Sequence, residues 1–292
     1  MELHGCNSSR PATSSSPLYD ALHRRPSGRP RLDNRTKLVN PPDPPGFLVV
    51  VYPQARESVI TFRPSRAPQV IGRRCSREPD GEPDGPPGAA STDRAVRRAK
   101  VTVRRYCKAN GIDRLMTLTY APPFCTDPKV LRHDVGRFVR RLRVTLGHRR
   151  FPYVWVPELH KDGTRLHAHI GLARYVKKAD LQACWPHGFV DARRLRAKST
   201  KAVSSVEHAG RAAHYLSKYV GKAFSSGAAV GAHRYEVGQG FQPRRDRIVL
   251  PSEHAARMWA IGQMGGEVPS MEWSSYESPD WVGPDCRVMF WS

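Results

Sequence analysis

Glu158, His160, His167 and His169 fall within twelve residues, on either side of Asp162-Gly163. Asp-Gly between two apolar-rich runs is a strong hairpin signal, since a type I′ turn needs positive φ at both central positions. With that pair at the turn, paired residue numbers sum to 325, so Glu158 faces His167 and Val156 faces His169. Side chains alternate along a strand, which puts Glu158, His160, His167 and His169 on one face. Leu159, Leu166, Ala168 and Ile170 take the other, apolar face. Opposed residues have Cβ atoms about 5 Å apart and diagonal ones about 7–8 Å apart. A carboxylate and two imidazoles therefore converge on one point and suit a divalent cation. Mg2+ or Mn2+ fits better than zinc, because no cysteine joins the set and an anionic substrate can fill open positions. His-x-His in a strand is by itself commonly two half-exposed histidines; the opposed glutamate and the apolar reverse face favour a ligand set. His160, nearer the turn, reads as a rim contact to phosphate or as a solvated histidine.

A second group lies in HAGRAAHYLSKYVGKAF, which places Tyr215 and Tyr219 four residues apart on one helical face. Lys218 and Lys222 each follow a tyrosine by three. Two tyrosines at this spacing are ordinarily amphipathic core residues with their hydroxyls at the surface. The alternative is a phenol acting as nucleophile at phosphorus, with an ammonium nearby to stabilise charge at the attacking oxygen. A phenol of ordinary pKa about 10 needs such help near neutral pH.

Charge identifies the class of partner. Lys and Arg number 48 against 26 Asp and Glu, a net +22. Residues 91–264 hold 34 basic and 12 acidic groups, so that stretch alone carries +22. Such an excess in the most globular-looking part weakens folding unless a polyanion relieves it, and nucleic acid is the expected partner. The longest apolar run, Phe47 to Tyr52, is six residues, where a membrane span needs about 20. No charged-then-apolar leader opens the chain, so a membrane or secreted protein is not expected. Six cysteines scattered without a CxxC pair read as free thiols in a reducing cytoplasm.

The elements that must position these groups follow from the patterning. Fifteen of 26 prolines lie in residues 1–90, and residues 1–91 read as a flexible, Pro-rich region of linker character with a short hairpin over 47–62. A basic helix is expected over 94–109 and a buried strand, RLMTLTY, over 114–120. Asp127-Pro128 marks a helix start, with Leu131, Val135, Phe138, Leu142 and Leu146 as its apolar stripe. Then come the hairpin, a short helix near 179–185, a strand near 188–192 and a helix over 206–223. This order predicts an α+β fold, a central antiparallel sheet with helices packed on it, spanning 92–262. Residues 263–292 form an acidic tail with no readable pattern. Arg137, Arg140 and Arg141 on the long helix, and Arg193, Arg194 and Arg196 further on, are either contacts to flanking phosphates or solvated faces.

LHAHI after Glu158, and YLSKYVGK later in the chain, resemble motifs 2 and 3 of the HUH endonucleases, and RLMTLTY resembles their motif 1 strand. Order and spacing are similar to those of rolling-circle replication initiators, with paired tyrosines closest to the microvirus and superfamily-one type. The resemblance covers residues 112–224. It implies His167 and His169 as metal ligands with Glu158 as a third, and Tyr215 and Tyr219 as nucleophiles with Lys218 and Lys222 as electrostatic partners. It leaves Thr117 and Thr119 in a mainly structural motif 1. No Walker A loop occurs, which excludes the helicase-fused members. The implied function is nicking of single-stranded or locally melted origin DNA, with a 5′-phosphotyrosine link and a free 3′-OH. A host polymerase and helicase are the implied partners, on plasmid or phage DNA in a prokaryotic cytoplasm. A transposase or relaxase of the same chemistry, and a non-catalytic basic nucleic-acid-binding protein, are the alternatives. The two overlapping Tyr-x-x-Lys units favour interchangeable use of the tyrosines.

Overall fold

A computed structural model describes residues 45–65, 89–195, 205–225, 234–279, 281 and 283–292. The architecture is α+β, with two antiparallel sheets of five strands each and five α-helices among the described residues. Arg196 lies outside the described residues, as do 1–44 and 66–88 of the Pro-rich region.

The sheet that carries the histidines runs β6-β3-β5-β4-β7. Its strands are β3 (Arg114–Tyr120), β4 (Tyr153–Leu159), β5 (Leu166–Leu172), β6 (Gly188–Arg194) and the short β7 (Glu236–Val237). Leu-, Ile- and Val-rich β3 and β5 are central, and their alternation feeds two separate apolar layers. On one side Met116, Leu118, Ala168 and Ile170 pack with Leu131, Val135, Phe138 and Leu142 of helix α2 (Pro128–Thr145). Helix α3 (Lys178–Cys184) adds Leu181 to the same layer. Asp127 caps α2 by accepting a bond from the Lys129 amide at 2.7 Å, with Pro128 in the first turn, as the sequence predicts. On the other side Leu115, Val154 and Val156 meet helices α1 (Ala89–Ala109) and α4 (Ser205–Ser225) through Val103, Tyr106, Ala212, Leu216 and Val220. The histidines and tyrosines share this second side.

Gly171 sets how closely α4 approaches the sheet. A Cβ there would stand 2.8 Å from Ile112 Cγ2, 2.9 Å from Leu216 Cδ1 and 3.0 Å from Val154 Cγ1. Gly136, inside α2, has only the Arg140 guanidinium within 4 Å of such a Cβ, at 3.5 Å. The same Gly→Ala change should therefore have opposite signs at the two sites. Gly171→Ala overpacks the layer and should cost about 1–3 kcal/mol. Gly136→Ala removes a helix-interior glycine and should stabilise by roughly 0.5–1 kcal/mol. Paired urea titrations measure both.

The hairpin expected over 47–62 is present as β1 (Gly46–Tyr52) and β2 (Glu57–Arg63), paired from Gly46–Arg63 to Tyr52–Glu57. It belongs to the second sheet, ordered β8-β1-β2-β10-β9. The remaining strands are β8 (Asp246–Leu250), β9 (Met271–Ser274) and β10 (Cys286–Phe290), the last two from the acidic stretch in which no pattern was legible. Helix α5 (Glu253–Gln263) covers one face through Ala256 and Ala260, against Val49, Val51, Ile60 and Met289. Glu57 is fully buried and receives Arg104 at 2.9 Å and Arg105 at 2.7 Å, both from α1. Two guanidiniums on one carboxylate offset its desolvation and join the second sheet to α1, the helix that packs on α4. No helix among the described residues is long and apolar enough to cross a membrane.

Candidate metal and tyrosine site

Hairpin pairing follows the expected register, with Glu158 opposite His167, Val156 opposite His169 and Leu159 opposite Leu166. The turn itself differs from the expected type I′. Only Gly163 has positive φ, at +75°, and Asp162 keeps an ordinary backbone. The Asp162 carboxylate instead accepts from the Thr164 amide at 3.0 Å and the Arg165 amide at 3.1 Å. Those bonds close a longer loop between the same strand ends, so the register survives the change of turn.

Three side chains meet above β4 and β5. Glu158 Oε2 lies 3.0 Å from His167 Nε2 and 2.6 Å from His169 Nε2. One donor atom from each of the three falls within 4.8 Å of the others, the convergence expected of a cation site. The donor set fits a divalent cation of oxygen and nitrogen preference. A further feature supports the fit: His169 Nδ1 is 3.1 Å from Thr117 Oγ1 on the paired strand β3. With Nδ1–H donating to that hydroxyl, Nε2 presents its lone pair to the shared point. Burial holds His169 in the neutral form, pulling its pKa down to about 4. His160 stays outside the cluster: it is exposed, its ring is 6.2 Å from that of His167, and Arg165 Nη2 lies 3.2 Å from its Nδ1.

Because the folded-state pKa of His169 is depressed below the ordinary value, the unfolded chain binds more protons between those two values. Metal-free protein should lose stability as pH falls from about 6.5 towards 4, at up to about 1.4 kcal/mol per pH unit. His169→Gln should flatten this slope in chemical denaturation followed across that range. An unchanged slope would place the burden on other groups.

Helix α4 lays its tyrosines over this cluster. Tyr219 is buried and stacks on His169, with ring centroids 3.9 Å apart and planes 28° apart. Its hydroxyl donates to the Tyr215 oxygen at 2.7 Å. Tyr215 is half-buried and receives a second bond, from Arg193 Nη2, whose guanidinium also lies 4.9 Å from the Tyr215 ring centre. Burial raises the pKa of the Tyr219 phenol far above its ordinary value, and the bond to Tyr215 adds to this. The two tyrosines, equivalent by spacing, therefore occupy different surroundings. Tyr215 is the outer one, with two donors on its oxygen; Tyr219 is the inner one, pinned between His169 and Tyr215.

The remaining expected residues are placed as follows. Lys218 is exposed on α4, and the side chain of Lys222 is outside the described residues. Arg137 and Arg140 are exposed on α2 and Arg141 is half-buried, its Nη1 donating to the Cys184 carbonyl at 3.3 Å. All three belong to a helix on the sheet face opposite the histidines. Arg194 donates to Asp113 Oδ2 at 2.8 Å. Sequence reasoning missed two contacts: Thr117 on His169 and Arg193 on Tyr215. Both depend on β3 pairing with β5 and β6, a non-local register that leaves no mark in any single segment.

Residues 113–224 match the model of the replication-associated protein ORF2 family, which is consistent with a rolling-circle replication initiator. That span runs from the start of β3 to the last turn of α4, so it contains Thr117, Glu158, both histidines and both tyrosines. No curated protein and no solved structure matches the chain.

Proposed function

We propose, from the replication-initiator family that residues 113–224 match, that this protein nicks one strand of origin DNA and joins itself to the new 5′ end through Tyr215. The observation that carries this reading is one continuous stack: the Glu158–His167–His169 cluster, Tyr219 over His169, and the Tyr215 oxygen at the outer end. Arg193 and Tyr219 both donate to the Tyr215 oxygen and fix its position, and loss of its own proton frees a lone pair to meet phosphorus. The Tyr215 O–P bond forms as the P–O3′ bond breaks; the phenol proton goes to solvent, and the 3′ oxygen takes up a proton as it leaves. A divalent cation held by Glu158, His167 and His169 supplies Lewis-acid polarisation of the scissile phosphate. The bond energy is kept in the phosphotyrosine, so rejoining needs no nucleotide triphosphate. Tyr219 is positioned to attack in a second step, once the adduct has drawn Tyr215 away from it. The scissile step must be unpaired to reach this depth, as with other enzymes that act on unstacked substrate.

Incubation of the full chain with single-stranded origin oligonucleotides and Mn2+, followed by a denaturing gel, tests the reading directly. A DNA-dependent band of raised mass, removed by chelator, is the expected result. Binding without any covalent species would instead favour a basic nucleic-acid-binding protein.

A further inference from the structure

Away from the histidine side, an open pocket of about 340 Å3 lies beside the edge strand β6. Its floor is apolar and buried: Met116 from β3, Leu172 from β5, Val176 and Leu181. Its rim is cationic and aromatic: Arg114, Arg174, Arg194 and Tyr175. Tyr175 is 66% exposed, far more than an aromatic ring needs to be when it serves only packing. The Arg114 guanidinium lies 5.2 Å from its ring centre, which holds that ring at the mouth. Asp113 is the one carboxylate at this rim among the described residues, paired with Arg194 at 2.8 Å and with Arg114 at 3.7 Å. Arg174 has no carboxylate partner among the described residues. The rim is therefore strongly positive over an apolar floor.

That combination selects its ligand. A purely anionic ligand has no use for the floor, and an apolar one would leave the arginines uncompensated. A nucleotide satisfies both, with a flat base against the floor and Tyr175 and a phosphate on the arginines. The volume is at the low end of the ~300–1,000 Å3 typical of small-molecule sites, which suits one nucleotide. Position completes the case. Arg193 also lines this pocket while its guanidinium reaches the Tyr215 oxygen on the other side of the sheet. Since β6 is an edge strand, a chain leaving Tyr215 has a short way round it.

We propose that this pocket is a subsite for one nucleotide of the single strand flanking the scissile phosphate, with its base stacked on Tyr175 and its phosphate held by Arg174 and Arg194. The proposal rests on the reading that the strand is cut at Tyr215. Its effect is to hold the strand bent round the β6 edge, which keeps the scissile phosphate at Tyr215 through a contact that does not depend on base identity.

The test measures anisotropy with a fluorescein-labelled (dT)20 strand and the full chain, because stacking is sequence-tolerant and needs no origin sequence. Tyr175→Ala should weaken binding about 5- to 100-fold, the span of one base–aromatic stack. Tyr175→Trp should return it to within about threefold of wild type, and Arg174→Ala should weaken it and lower its salt dependence by about one phosphate. Tyr276→Ala, which removes a similarly exposed tyrosine following β9, should change nothing beyond twofold. Photo-crosslinking with 5-iodo-dU in the same strand should label the peptide containing Tyr175. Tyr175→Ala binding within twofold of wild type, or a crosslink map that avoids this peptide, overturns the pocket. The covalent assay with origin strands separates the two readings. A Tyr175-dependent affinity without any adduct keeps the subsite and sinks the nicking. An adduct with Tyr175-independent affinity does the reverse.

Discussion

Tyr215→Phe is expected to abolish the first covalent adduct, a loss on the order of a thousandfold or more in single-turnover cleavage. Tyr219→Phe should still form that adduct at residue 215, slowed roughly tenfold, because it removes one of the two donors on the attacking oxygen. It should fail in the later exchange of strand ends, where a second tyrosine is required. The asymmetry has a physical origin. Tyr219 is buried against His169, its phenol is pushed to high pKa, and its hydroxyl is engaged with Tyr215. Tyr215 is more exposed and has the Arg193 guanidinium at its oxygen. Arg193→Ala should therefore slow adduct formation more than it weakens DNA binding, a split between rate and affinity that a mere phosphate contact would not produce. Peptide mapping of the adduct names the attacking residue. If Tyr215→Phe forms an adduct on Tyr219 at the wild-type rate, the tyrosines are interchangeable, as their spacing alone suggests.

Elements whose signal is local were legible in the sequence. Asp127-Pro128 begins α2, RLMTLTY is β3 residue for residue, and α4 differs from expectation by a residue or two at its ends. The hairpin register was readable because one face had to be apolar: a slip of one residue would have moved Ala168 and Ile170 out of the core and the histidines into it. Helix α1 begins at Ala89, inside the stretch read as linker, since AAS ahead of Asp93 carries no apolar stripe to announce it. The second sheet was not readable as a sheet. It joins β1 and β2 to β8 and β10, roughly 190 to 230 residues further on, and pairing at that separation has no local signature. β9 and β10 are short, and their faces mix Trp, Glu, Arg and Met, so alternation is faint. The same limit applied at the site. Charge and spacing marked Arg193 as cationic and Tyr215 as a candidate nucleophile, yet only the β6–β3–β5 order brings the guanidinium to the phenol.

Removing either histidine is the other change with a large expected effect. His169→Ala deletes one of three donors, the stacking partner of Tyr219 and the acceptor or donor for Thr117 at once. Cleavage should fall on the order of a thousandfold, the several kcal/mol that Lewis-acid assistance supplies. His167→Ala leaves the Tyr219 stack and the Thr117 contact in place, so its loss isolates the ligand role from the positioning role. DNA affinity should change little in both variants, because the charge that binds phosphate, 34 basic against 12 acidic residues over 91–264, is untouched. Glu158→Gln should be intermediate: it keeps an oxygen at the shared point but removes the negative charge that draws a cation there. Titrating Mn2+ distinguishes a weakened site from a broken one, since excess metal should restore much of the Glu158→Gln activity and little of the His169→Ala activity. Thr117→Val offers a finer check. It keeps the size of the side chain and removes the hydroxyl on His169 Nδ1, and should cost about 10- to 100-fold in metal affinity, as is usual for a group that orients a ligand. Wild-type cleavage by His167→Ala at limiting Mn2+ would remove the metal from the mechanism and leave the cluster as a hydrogen-bonded support for Tyr219.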